Sequence, residues 1–496
     1  MKMDCKRETL ERIANYLFLI TVFFIPMELA VDLRIGRIFT PYKLFLLLLI
    51  STVIILVSRA PLLYRNRLFD ALGQMYQRMR RLLVPLGLYF LFDLVSLFWT
   101  ADVWFALKKY ITILPMVVLS LYGCYYFFDP RLGFSMRYGR FRSLTGTIGL
   151  MALALALISW GLFLFYGRTY YILRMSLQSD YNQYIISIFL GFLCGIYAIH
   201  SIRDSRRQLL LFFLYSVLIL PLFYVSGSRR TMLLYMPVFG IIAVSMLLWA
   251  IQQHRRGLII GTMICVLSAA ALHFVLIDYF EFRSTRIYRE MEDEAIGNGQ
   301  EMVSASMDNR EGIVQDFRLE QGLEFKTQTI ASGDAIGIRE RIWTRVMDEL
   351  GSFSAKEWLI GRGGSYQRDL LSGESSEIKL FPEGRPEGTK MPKHPHSMIF
   401  VDFLNGGVIK LGLTALTVLA VLSYAAVLIR AKDGPGLLLL LLYGGFHLSS
   451  QFIDSIYGLW ESRLTWLLVM LLMGLLSLLP LDLWMGKNRA NGELES

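Results

Sequence analysis

The sequence predicts an all-α polytopic membrane protein of about twelve transmembrane helices with one large polar loop. Three observations carry that prediction. Of 496 residues, 55% are hydrophobic and only 18% are charged, where a soluble domain carries about a quarter. Apolar runs of roughly 17–25 residues recur along the chain, the length that crosses a bilayer. One stretch alone, residues 278–397, is long and polar. Each spanning run must satisfy its own backbone hydrogen bonds, which requires helix.

The spans are expected at 13–31, 40–58, 82–98, 110–128, 144–166, 181–200, 208–226, 230–250, 257–277, 398–429, 435–452 and 463–484. Lys and Arg in the short connections orient them. With a cytoplasmic N-terminus, the short inside segments hold 23 of these cations and the short outside loops hold 9. Both termini are therefore expected in the cytoplasm. The organisation reads as helices one to nine over 1–277, an outside loop over 278–397, and helices ten to twelve with a short tail over 398–496. Cys5, Cys124, Cys194 and Cys265 lie in the N-terminal tail or inside apolar runs, so neither a disulfide framework nor a CxxC metal motif is implied. The first apolar run is followed by another and not by a small-residue cleavage site, so no cleavable signal peptide is expected.

The polar loop carries 16 Lys and Arg against 22 Asp and Glu, a net of −6 in a chain of +10. The membrane part and its short loops thus carry the basic excess, which suits anionic inner-leaflet lipids. Membrane lipids, and no nucleic acid, are the expected polyanionic partners. Within the loop, residues 281–335 are acidic and poor in aromatics and read as mobile or partly helical. Over 336–350, Ile338, Ile342, Val346 and Leu350 recur near the helical period with Trp343 and Met347 beside them. That pattern predicts an amphipathic helix, ended by Gly351.

Several groups have chemical potential. Ser226–Arg230, SGSRR, joins spans seven and eight on the side where arginine should be scarce. Arg229 and Arg230 read either as headgroup caps or as an anion clamp, since guanidinium offers a planar fork to phosphate oxygens. His394 and His396 form an HxH pair, but no Cys or third His lies in the loop, so a metal site is not expected. They read as a polar interfacial pair or as a proton acceptor, because a neutral imidazole is poised near physiological pH. GRGGSYQ (361–367) sets Arg362 among close glycines; it matches no P-loop or GxGxxG element, and the glycines allow a tight turn or close backbone approach. Asp93 and Lys410 are ionisable residues inside spans, functional candidates by default unless an interface solvates them. An outer arginine clamp with a histidine base can support glycosyl transfer from a diphosphate lipid. The leaving diphosphate needs its charge stabilised, and no nucleotide or cofactor is required.

Taken in chain order, these elements resemble the O-antigen ligase and Wzy-type polymerase superfamily of bacterial surface-glycan proteins, best over spans six to twelve. The resemblance rests on SGSRR, the long outer loop, Arg339 with Trp343, Gly361-Arg362-Gly363, and His396-Ser397 followed after nine residues by Gly407. SDYNQY (179–184), opening span six, is similar to a further family element. The resemblance implies a GT-C-like bundle in a bacterial inner membrane, with a periplasmic loop folded over a lateral cleft. It implies an undecaprenyl-diphosphate-linked glycan donor and an inverting, metal-independent transfer without cofactor to a lipid A–core or glycan acceptor. Carried over by motif, His396 would activate or position the acceptor hydroxyl, and Arg339 with Arg229 or Arg230 would contact the diphosphate. Arg362 and His394 are further substrate-binding candidates. Lys410 stands where ligases more often have Gly, Thr or Tyr. A ligase is expected ahead of a polymerase on the His-Ser-x9-Gly spacing. A flippase or transporter without chemistry would need a polar path through the bundle, and few charges lie inside the spans.

Overall fold

Long apolar runs close their backbone hydrogen bonds locally, and in the computed structural model every regular element among the described residues is helical. The structure describes residues 2–31, 40–167, 169, 174–177, 181–252, 256–297, 334–372, 394–454 and 458–480. The helices are α1 (Lys2–Val31), α2 (Pro41–Arg59), α3 (Pro61–Val95), α4 (Val103–Phe128), α5 (Phe134–Tyr166), α6 (Tyr181–His200), α7 (Ser205–Val225) and α8 (Arg229–Gln252). They continue as α9 (Arg256–Gly297), α10 (Asp334–Gly351), α11 (Ala355–Ile360), α12 (Tyr366–Leu370), α13 (Met398–Arg430), α14 (Gly434–Asp454) and α15 (Arg463–Ser477). Short 3-10 turns cover Ser96–Trp99 and Leu459–Glu461. Among the described residues nine helices, α1 to α7, α9 and α13, are long and apolar enough to cross a membrane. The fold is that of an all-α, multi-pass membrane protein. The three other expected spans each coincide with a helix, namely α8, α14 and α15.

Local signals explain several boundaries. Pro41 and Pro61 open α2 and α3 at a position where a missing N–H costs nothing. The Asp102 and Asp204 carboxylates accept backbone N–H groups at the starts of α4 and α7. At the far end of α15, two arginines reach carbonyls at its C-terminus inside the bundle. Arg78 donates to the Leu476 and Leu479 carbonyls and Arg137 to that of Ser477, cations placed where the helix dipole favours them.

The core forms where α5 packs on α6, α1 on α2 and α5, α13 on α3, and α15 on α4. Phe18, Phe127, Phe189, Tyr184 and Tyr443 are fully enclosed there. Large apolar side chains such as Ile54, Leu91, Ile111, Leu150, Ile264 and Leu419 point outward and are exposed. A water-facing surface of that kind would aggregate, whereas lipid solvates it.

The expected loop begins inside a helix. α9 runs for 42 residues, to Gly297, and crosses the 277/278 boundary without a break. Most of the rest of the acidic stretch, 298–333, lies outside the described residues. The predicted amphipathic helix is α10, starting two residues earlier than the periodicity indicates and including Gly351. Its Ile342, Val346 and Leu350 are buried and Met347 is exposed; the Ile338 side chain lies outside the described residues. Val346, Leu350, Phe353 and Leu370 pack on Phe403 and Leu404 of α13. The described part of the polar segment is therefore seated on a membrane helix.

Candidate functional site

Helix polarity gathers the chemistry at one end of the bundle. The starts of α4, α6, α8, α13 and α15 lie there with the ends of α3 and α7, and each sequence-predicted group belongs to one of these or to the segment that covers α13. α13 itself is broken at Gly407, whose φ is 60° and ψ −158°. A break leaves carbonyls of the preceding turn without partners, which inside a membrane protein must be found elsewhere. GRGGSYQ supplies them. The Arg362 N–H donates to the Leu404 carbonyl and the Gly363 N–H to that of Asn405, each at 3.0 Å. The Asn405 amide donates to Gln367 Oε1 at 2.8 Å, and the Gly364 N–H donates to Thr100 Oγ1 at 2.9 Å. Gly361 also has positive φ, and the approach is reciprocal. A Cβ at Gly361 would strike the Asn405–Gly406 backbone, and one at Gly407 would strike the Trp358 and Leu359 carbonyls. Close backbone approach is thus the use of these glycines.

Directly beneath this clamp is a buried cluster of five charges from four elements. Asp93 of α3 pairs with Lys109 of α4 at 2.6 Å and with Lys410 of α13 at 2.7 Å. Lys410 also meets Asp402 at 3.6 Å, and Lys109 meets Glu461, in the turn before α15, at 3.6 Å. Asp402 accepts hydrogen bonds from Tyr89 (3.1 Å) and Thr414 (2.7 Å). None of the five side chains exceeds 10% exposure, so charges that would be costly alone are held by one another. A Cβ on Gly364 would lie 3.4 Å from Lys109 Nζ, so clamp and cluster are in contact.

His396 immediately precedes α13 and has φ 53°. A positive φ is uncommon outside glycine, though histidine tolerates it better than most residues, and such strain concentrates at functional sites. α10 lies against this segment, because Trp343 Nε1 donates to the Pro395 carbonyl, between His394 and His396, at 2.9 Å. The Trp343 ring also meets Phe400 at 6.0 Å between centroids. Arg339 is one turn before Trp343 on the same face of α10. The structure therefore brings Trp343 to the His394–His396 segment, with Arg339 one helical turn away.

A second group stands where α6, α7 and α8 meet. SGSRR turns at Gly227, φ 72°, and the stem of Arg174 packs there, 3.1 Å from where a Cβ would be. The Arg174 guanidinium lies 4.7 Å above the Tyr181 ring, and Met175 N–H donates to the Val225 carbonyl at 2.9 Å. Ser228 Oγ donates to Asn182 Oδ1 at 3.0 Å, joining SGSRR to SDYNQY. Arg229 and Arg230 open α8, and their side chains lie outside the described residues.

Arg362 is occupied by its own surroundings. It donates to Glu357 at 2.7 Å and Glu349 at 2.5 Å, and lies over the Phe353 and Tyr366 rings. The Ser354 backbone N–H and Arg362 hold the Glu357 carboxyl down at about 2. Burial would raise Glu349, but hydrogen bonds from Tyr366, Arg345 and Arg362 outweigh it and leave its pKa lowered. Burial, then the Glu349 carboxylate, pushes Tyr366 up to about 12. In this arrangement Arg362 braces α10 against the clamp.

Sequence reasoning missed Lys109, Asp402, Glu461 and Arg174 as members of these groups. Asp402 carried the same signal as Asp93 and Lys410, an ionisable group within a span. Lys109 and Arg174 were counted only as outside-loop cations. No family model matches the chain, and no curated protein matches it at a significant level.

Proposed function

We propose that the chain is a glycosyltransferase of the O-antigen ligase type, working at the outer face of a bacterial inner membrane with both termini in the cytoplasm. Twelve helices cross the membrane in this reading, and the bundle is GT-C-like, with α10 to α12 as its periplasmic cover. The donor is a glycan on undecaprenyl diphosphate and the acceptor a hydroxyl of lipid A–core. The observation that carries the reading is the seating of α10, through Trp343, on the histidine segment that opens α13, with Arg339 one turn away on the same helix. It joins a cation able to hold diphosphate oxygens to a base able to take a hydroxyl proton.

The acceptor oxygen attacks the anomeric carbon from the face opposite the diphosphate and inverts it. The bond from the anomeric carbon to the bridging oxygen of the diphosphate breaks, the diphosphate leaves with that oxygen and the electron pair, and the hydroxyl proton passes to the His396 imidazole. Arg339, with Arg229 or Arg230, offsets the charge growing on the leaving group, and His394 lines the approach. Lys410 departs from the ligase pattern, yet it is enclosed by Asp93 and Asp402 and is not offered to substrate.

The test is a deletion strain complemented by native chain or by His396→Ala. Long glycan stranded on undecaprenyl diphosphate with bare lipid A–core, restored by the native chain and not by an equally expressed variant, supports the reading. Single repeat units on lipid A–core would make the chain a polymerase. Full restoration by His396→Ala removes the base from the mechanism.

A further inference from the structure

At the end of the bundle opposite His396, the ends of α6 and α8 and the starts of α7 and α14 leave a cavity of about 470 Å³. That lies in the range of ligand sites, roughly 300–1,000 Å³. Its lining is largely apolar and includes Ile196, Phe212, Met246, Leu438 and Leu442, with His200 among the few polar groups. The exposed Leu248 and Leu441 lie at its side, which opens it to the lipid-facing surface.

The connections beside it are basic. Arg203, Arg206 and Arg207 occupy the α6–α7 connection and the start of α7, and Arg430 and Lys432 the α13–α14 connection; all five are exposed. Two carboxylates stand among them. Asp204 pairs with Arg207 at 3.3 Å and caps α7, and Asp433 accepts the Gly436 N–H. His200 and Gly434, which line the cavity, are within three residues of Arg203 and Lys432. An apolar chamber between spans with cations at its rim matches one occupant in both parts. A hydrocarbon chain fills the chamber, and a phosphate headgroup meets the arginines, as basic pockets between membrane helices do for anionic lipids.

We propose that this cavity is a binding site for an anionic phospholipid, with one acyl chain inside and the phosphate held between the Arg203 and Lys432 connections. The site is separate from the transfer chemistry and does not depend on it.

The test uses the full chain in nanodiscs of equal phosphatidylglycerol and phosphatidylcholine, released for native mass spectrometry. The expected result is retained phosphatidylglycerol at tenfold or more over phosphatidylcholine. Ser245→Trp, at a partly exposed position in the lining, fills the chamber and should abolish retention. Arg203→Gln with Lys432→Gln leaves the chamber intact and should lower the preference by about fivefold for each charge lost. Equal retention of the two lipids by the native chain overturns the proposal, and so does undiminished retention in Ser245→Trp. If Ser245→Trp elutes as misfolded protein, the surface double variant decides, and an unchanged lipid ratio overturns the proposal. Lipid-free native dimers that Ser245→Trp converts to monomers would assign the chamber to a second copy and overturn it too.

Discussion

Replacing Lys410 by methionine tests whether the buried charges are held by one another. In the native chain three carboxylates, Asp93, Asp402 and Glu461, are matched by two ammonium groups, Lys109 and Lys410, at 2.6–3.6 Å. Lys410→Met keeps the volume and leaves three carboxylates with one cation. Stranding a buried charge in this way costs about 3–5 kcal/mol. Asp402→Asn does the reverse, removing the excess carboxylate. Its amide oxygen still accepts from Tyr89, and its NH2 can donate to the Thr414 hydroxyl, which now bonds Asp402 at 3.1 and 2.7 Å respectively. The single Asp402→Asn should therefore lie within about 1 kcal/mol of native, the net worth of a typical hydrogen bond. The double variant should recover part of the Lys410→Met loss, with a coupling of roughly 0.5–3 kcal/mol. The assay is reversible unfolding in mixed micelles followed by tryptophan fluorescence on the four chains of the cycle. A Lys410→Met chain within about 1 kcal/mol of native, or a cycle that closes with no coupling, would refute the argument.

Three further outcomes follow from other parts of the site. Gly407→Ala should cost about 1–3 kcal/mol from its positive φ and extended ψ, a pairing essentially confined to glycine, and more because the new methyl meets the Trp358 and Leu359 carbonyls; hydrogen exchange over 359–367 should rise, and native-like protection there would count against the clamp. The carboxyls of Glu349 and Glu357 are lowered in the folded chain, so the stability they add is present above the ordinary glutamate range of about 4.3. It is lost as pH falls through that range toward about 2 for Glu357. Hydrogen-exchange protection factors over 334–372 should accordingly fall only below about pH 4, and a fall near pH 6 would contradict the assignment. Arg339→Lys should retain expression and lose roughly tenfold or more of transfer, the worth of one charge-assisted hydrogen bond; unchanged transfer would make the guanidinium geometry irrelevant there.

What the sequence disclosed divides along a physical line. Spans and α10 were legible because each is written within a short window, as a run long enough for a bilayer or as apolar residues at helical spacing. The glycines at 361 and 363 were legible as a place of close approach. Their partner was not, because Asn405 is separated from Gly363 by the whole connection into α13, and register across such a gap is set by packing. Asp93 and Lys410 stood out singly as charges within spans. Their pairing, 317 residues apart, is a fact of how α3 and α13 cross. Lys109 was misread because counting loop cations assigns a side of the membrane by chain position, while a residue in the first turns of a helix can point inward. α9 runs on past the expected span for a related reason, since a helix does not stop where its hydrophobicity does.

α13 ties these observations into one constraint on the proposed chemistry. His396 precedes it, Asp402 and Asn405 lie in its first part, Gly407 breaks it, and Lys410 begins its second part. The first part is held from outside by the clamp and from beneath by Asp402, while the second is anchored to α3 through Lys410 and Asp93. The strained backbone at His396 is therefore over-determined from two sides, which is the condition for keeping a residue in a sparsely populated conformation. A perturbation at Lys410 acts on the histidine only by changing how the first part of α13 sits on the bundle. It should therefore lower the rate of transfer through the position of His396 alone.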